Sequence, residues 1–171
     1  MKSRNIYSLP VKIKNEVIAV TDTRVHFGIL KYAVDFSLKK NVPILAAQSG
    51  EVIRVKDNSN KGGDDEKYAD EKFQNMIIIK HDNDEYTEYV HIDHKSALVK
   101  KGDFVKKGHL ISKGIGIIGY TTEPHLHFAV FRLVGNKDNF NSIPIVWEKG
   151  LIIEKQKNNF LQLNFKKFID R

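Results

Sequence analysis

The chain reads as all-β, a folded-over antiparallel β-sandwich with few or no helices. Three observations predict this. Its apolar residues fall in short segments rich in β-branched side chains, turn residues separate those segments, and a glycine-cornered near-repeat follows them. No obvious place is left for a long helix.

In chain order, strands are expected at Val17–Val20, Ala33–Phe36, Pro43–Ala46, Glu51–Val55, Met76–Ile79 and Thr87–Val90. Ser49-Gly50 and Asp82-Asn83-Asp84 are the turn signals between them. Lys56–Lys72 is polar and carries Gly62-Gly63, and its composition predicts a mobile loop. The near-repeat is Val99-Lys100-Lys101-Gly102-Asp103 and then Val105-Lys106-Lys107-Gly108-His109. Each copy offers an apolar residue, two exposed lysines and a turn glycine. A last strand runs through His125, Leu126, His127, Phe128, Val130 and Phe131. Residues 1–148 form one domain in this reading, and 149–171 a basic C-terminal extension packed on it as a closing strand or a short helix. A basic amphipathic tail touching a membrane is the other reading of that extension.

With 171 residues, 41% of them hydrophobic and 29% charged, the chain can bury one proper core. It has no cysteine, so disulfides and thiolate metal sites are excluded; any zinc must be held by His and Asp/Glu. Lys+Arg outnumber Asp+Glu by 28 to 21, a net charge of +7, which favours anionic partners. The aromatics follow strand periodicity more than they interleave with Lys and Arg, which argues against a nucleic-acid module. Met1–Tyr7 holds no apolar core and predicts no signal peptide, and no apolar run approaches the length of a membrane span.

The chemistry concentrates in three places. In a strand, residues i and i+2 share a face, so His125 and His127 stand side by side while Leu126 and Phe128 pack behind. Such a pair suits a metal ligand next to an acid/base group. Asp35 lies in the otherwise apolar segment Tyr32-Ala33-Val34-Asp35-Phe36, where a carboxylate needs a metal, a cationic side chain or backbone N–H groups. His26 stands nine residues earlier, before Gly28, and can swing back toward it. His91 ends the alternating segment Glu88-Tyr89-Val90-His91-Ile92, and a lone histidine at a strand end reads first as a surface or satisfied core residue. His94 looks loop-bound and solvated; His81 and His109 sit beside turns and receive no role.

Taken in order, His26, Tyr-Ala-Val-Asp-Phe through Asp35, Val42–Ala47 with Gly50-Glu51-Val52, Asn75–Ile79, Tyr89-Val90-His91, the Val-Lys-Lys-Gly near-repeat and Gly119–Phe128 resemble the lysostaphin-type zinc metallopeptidases. This is a family of peptidoglycan endopeptidases, and the resemblance covers roughly residues 15–147. It implies a lysostaphin-like sandwich and one Zn²⁺ held by His26, Asp35 and His127, with the fourth position left to water. It implies catalytic roles for His91 and His125, one as general base then acid, the other at the oxyanion. The loops at 57–72 and 114–123 are the candidate groove walls. Two departures stand out. The commonest family pattern places a histidine four residues before the aspartate, where this chain has Lys31; the chain resembles a rarer version with His-x-Gly and a longer loop. Many relatives carry an acidic residue where this chain has Ala129.

The expected function is therefore zinc-dependent endopeptidase action on a cross-bridge or stem peptide of cell-wall peptidoglycan, outside the cell or in the periplasm, with anionic wall polymers as further partners. The alternative is a non-catalytic wall-binding or hydrolase-regulating member of the same fold. A biotinyl- or lipoyl-carrier sandwich fits less well, because neither lysine pair sits in a Met-Lys-Met type of hairpin tip.

Overall fold

Alternation in one nine-residue strand sets the architecture. From His125 to Leu133, Leu126, Phe128 and Val130 are buried in the core, while His125 and His127 are half-buried on the opposite face. The computed structural model describes residues 2–12, 18–20, 26–134, 140–148, 151–155 and 160–165. Its principal sheet has ten strands. In chain order these are β1 (Ile18–Val20), β2 (Val34–Ser37), β3 (Gly50–Lys56), β4 (Met76–Lys80) and β5 (Tyr86–Val90). They continue as β6 (Phe104–Val105), β7 (His125–Leu133), β8 (Phe140–Ser142), β9 (Leu151–Lys155) and β10 (Phe160–Phe165).

The spatial order is β9-β10-β1-β2-β7-β5-β4-β3-β6, and β8 also pairs with β7. All these pairings are antiparallel. The Val17–Val20 expectation survives as the described β1. In the described residues of the C-terminal extension, β9 and β10 pair with each other and β10 pairs with β1, so those residues are strand rather than helix. No α-helix occurs among the described residues, only short 3₁₀ turns.

One face of the sheet carries Val34, Phe36, Val52, Ile77, Ile79, Tyr89, Leu126, Phe128 and Val130. Folded over this face are Leu9, Val11, Ile44, Ala46, Ile111 and Ile115, the last four close to a small antiparallel pair, Ile44–Leu45 with Leu110–Ser112. Burying such side chains contributes roughly 1.5–3 kcal/mol each. The layer supports β7 from behind and leaves its other face free for polar chemistry. Trp147, edge-on to Phe36 and tilted against Phe128, closes one end of this core.

Both turn glycines of the near-repeat adopt positive φ, +92° at Gly102 and +81° at Gly108, and so bracket β6 with tight turns. The Lys56–Lys72 segment differs from expectation. It is a built wall rather than a free loop: Gly62–Gly63 pairs in parallel with Gly119–Tyr120. Two 3₁₀ turns follow, capped by Asp65 and Asp70. Lys56 Nζ donates to the carbonyls of Glu71, Lys72 and Gln74 at 2.5, 2.8 and 2.7 Å. Asn75, fully buried, grips the backbone of Ser59 through both ends of its amide. Polar composition alone cannot distinguish a solvated loop from one whose polar groups satisfy one another.

Candidate metal centre

Register brings the first two candidate groups together. In the β2–β7 ladder Asp35 stands opposite His127, and paired residues share a face. Asp35 Oδ1 lies 2.9 Å from His127 Nδ1. The third arrives from outside the sheet. A 3₁₀ turn at Gly28–Leu30, opened by Gly28 at φ +56°, directs the chain into β2 and leaves His26 buried above Asp35. His26 Nε2 is 3.2 Å from Asp35 Oδ2 and 3.3 Å from His127 Nδ1. Lys31, at the end of that turn, places its ammonium over the Tyr32 ring instead.

His26, Asp35 and His127 are the group of side chains able to hold a metal ion among the described residues. The donor set suits a divalent cation without thiolates. Two imidazole nitrogens and a carboxylate at bond lengths of about 2.0–2.2 Å, spread tetrahedrally, would stand about 3.3–3.6 Å apart. The observed edges of 2.9–3.3 Å lie within a few tenths of an ångström of that triangle.

Burial alone would raise the Asp35 carboxyl, but the His127 and His26 hydrogen bonds outweigh it and hold it well below the usual carboxylate range. Burial would lower the His127 imidazolium; its bonds to Asp35 and Glu88 outweigh that and hold it up, at about 10. Metal binding must therefore displace the imidazolium proton.

His91 and His125 stand beside the triad, their ring centroids 4.4 Å apart. His91 directly follows β5 with φ +65°, an uncommon backbone for a residue other than glycine. Hydrogen bonds on both sides hold it there, from His91 N to Asn75 O and from Gly116 N to His91 O, each 3.0 Å. Its Nδ1 lies 2.6 Å from the Ile118 carbonyl, which can only accept, so Nδ1 carries the hydrogen. Burial, and then the neighbouring His125, push its pKa down to about 3, so the ring is neutral with its Nε2 lone pair free. His125 is held alike: Nδ1 faces Glu123 O at 3.0 Å and Thr121 Oγ1 at 3.1 Å. The Thr121 hydroxyl donates to Glu123 O at 2.6 Å, so it accepts from His125. His125 Nε2 looks toward Asp35, 3.8 Å away.

The segment 114–123 thus does more than form a wall, because its Ile118 and Glu123 carbonyls set the tautomers of both rings. His94 is exposed on its turn, as its charged neighbours suggested. His81 is buried and bonded to Ser49 O and Thr87 Oγ1, each 2.8 Å away, a structural role. One residue escaped sequence reasoning. Glu88 lies buried on the site face of β5, with Oε1 3.7 Å from His127 Nε2. Its only signal was a charge inside an alternating strand.

The chain is similar to known proteins. An uncharacterized metalloprotease of Buchnera aphidicola is 31% identical over 137 residues, 79% of this chain and 32% of that protein. Lysostaphin of Staphylococcus simulans is 33% identical over 112 residues, 66% of this chain and 20% of that protein. The chain thus spans about a third and a fifth of these relatives. The crystal structure of a zinc containing peptidase from Vibrio cholerae superposes with a TM-score of 0.50 at 26% identity, covering 74% of this chain and 36% of that one. The profile of peptidase family M23 matches residues 29–142, beginning just after His26 and taking in Asp35, His91, His125 and His127. With that match over two-thirds of its length, on a β-sheet that gathers two histidines and an aspartate able to hold a metal ion, the chain belongs to peptidase family M23, the metallopeptidase family of lysostaphin.

Proposed function

We propose that the chain is a zinc-dependent endopeptidase that hydrolyses peptide bonds in bacterial cell-wall peptidoglycan, in a cross-bridge or a stem peptide. The observation that carries this reading is the meeting of His26 Nε2, the Asp35 carboxylate and His127 Nδ1 beside the imidazoles of His91 and His125, each held at Nδ1 by a backbone carbonyl. The zinc of the Vibrio cholerae peptidase supports the metal, and the similarity to lysostaphin supports the substrate. The net charge of +7 suits an anionic wall, and the similarity to lysostaphin supports a place outside the cell or in the periplasm. No helix among the described residues is long and apolar enough to cross a membrane. Residues 1–148 are the peptidase domain in this reading, and 149–171 a basic extension at its edge.

His26, Asp35 and His127 would hold the cation, which when bound would supply a Lewis acid for the scissile carbonyl and for water. His91 and His125 handle the proton. One accepts it at Nε2 from the attacking water and returns it to the leaving amine, and the other stabilises charge on the carbonyl oxygen. The Ile118 and Glu123 carbonyls hold both rings in the tautomer that this needs. Paired through Gly62–Gly63 and Gly119–Tyr120, the two loops form a wall along which an extended peptide can lie.

The test is digestion of purified peptidoglycan, with mass analysis of the released fragments. New amino termini should appear in cross-bridge or stem peptides, vanish with a chelator and return with zinc. Intact wall at every zinc concentration would contradict the proposal.

A further inference from the structure

β5 presents Tyr86, Glu88 and Val90 to the site face of the sheet and sends Thr87 and Tyr89 to the other side. Val90 stands opposite His127 on β7, and Glu88 opposite Ala129. Glu88 is therefore diagonal to His127, a separation of about 7–8 Å between backbones that a glutamate side chain can span. The Glu88 side chain is 12% exposed, and a charge at that depth needs a partner. Among the described residues His127 is its one ion-pair partner. Ala129 contributes only a methyl group beside the diagonal, leaving it open for the glutamate.

The His127 ring has two jobs to reconcile. Its Nδ1 faces Asp35 and His26, so it can bind a cation only when the hydrogen sits on Nε2. Histidines that bind metals commonly donate their second N–H to a carboxylate or carbonyl, which fixes the tautomer and raises ligand basicity. Here Glu88 Oε1, 3.7 Å from Nε2, is placed to accept. Closing that gap to a charge-assisted hydrogen bond of about 2.8 Å needs movement of under about 1 Å.

We infer that Glu88 is a positioning residue for metal binding, accepting from His127 Nε2 and holding the ring with Nδ1 turned to the cation. The inference rests on the zinc reading above and adds a role delivered from the neighbouring strand. Because residue 129 shares the face and lies two positions from His127, the same carboxylate could be supplied from there. Glu88 is therefore transposable across the strand pair.

Competition with a fluorescent zinc chelator tests this on the full chain, its Glu88→Ala and Glu88→Gln variants, and the double variant Glu88→Ala/Ala129→Glu. Zinc affinity should fall about 10- to 100-fold in Glu88→Ala, less in Glu88→Gln, and recover at least tenfold in the double variant. In the zinc-loaded parent, nitrogen NMR of His127 should show hydrogen on Nε2. Thermal melting of the metal-free proteins identifies a variant that has lost its fold; if Glu88→Ala has, the isosteric Glu88→Gln decides. An affinity within threefold of the parent in whichever folded variant decides would overturn the role of Glu88. Failure of the parent itself to bind zinc would instead overturn the metal reading.

Discussion

Asp35 and His127 face each other across two antiparallel strands, carboxylate oxygen to Nδ1 at 2.9 Å, although 92 residues separate them in the chain. The sheet therefore fixes two candidate ligands before any loop is placed, and leaves His26 as the movable third. His26→Ala should consequently keep the fold while weakening zinc binding by at least about 100-fold, whereas Lys31→Ala should leave binding unchanged. Metal analysis after dialysis checks both.

His91 and His125 are predicted to be dispensable for binding and needed for turnover. Alanine at either should leave one zinc per chain and lower kcat by about 10²- to 10⁴-fold. Zinc content measured beside peptide hydrolysis separates the two roles; loss of zinc in either variant would make that residue a ligand.

The two faces of β7 should respond oppositely. Phe128 is fully buried against Phe36, Tyr89 and Trp147, so Phe128→Ala should cost about 3–5 kcal/mol of stability in denaturant unfolding. His127→Ala should leave a folded protein whose melting temperature no longer rises with added zinc.

Acid should destabilise the metal-free protein through Glu85, far from the metal centre. Burial would raise its carboxyl, but hydrogen bonds from Arg4 N, Asn5 N, the Tyr7 hydroxyl and the Arg132 guanidinium outweigh burial and lower it. A carboxyl lowered on folding stabilises the folded state above its unfolded value of about 4.3, and that contribution is lost as pH falls through the folded value. His81, lowered by burial, acts in the same direction: its contribution is present above about 6.5 and is lost on acidification below that. Unfolding free energy should therefore decline from pH 6.5 downward, and more steeply in the parent than in Glu85→Gln. That variant should also lose about 3 kcal/mol at neutral pH, because the Arg132 charge is left without its partner.

Much of this was legible in the sequence because strand periodicity is local. The i, i+2 spacing of His125 and His127 and the apolar residues between them specify two faces without knowledge of any partner strand. Asp35 stood out as a charge in an apolar segment. His26 was a candidate by its closeness to Asp35 in the chain and by family resemblance, but its approach depends on a turn that no periodicity encodes. Glu88 was invisible as a partner of His127, because the diagonal exists only once β5 and β7 are in register. The Lys56–Lys72 wall was misread as mobile for a related reason. Lys56, Asp65, Asp70 and Asn75 look solvated until the carbonyls and amides that they bind are in place.

Anomalous diffraction at the zinc edge, from crystals of the zinc-loaded chain, tests the central claim most directly. One peak is expected within about 2.0–2.2 Å of His26 Nε2, an Asp35 oxygen and His127 Nδ1, with His91 and His125 outside bonding distance. A peak coordinated without His26, or none between Asp35 and His127, would contradict it.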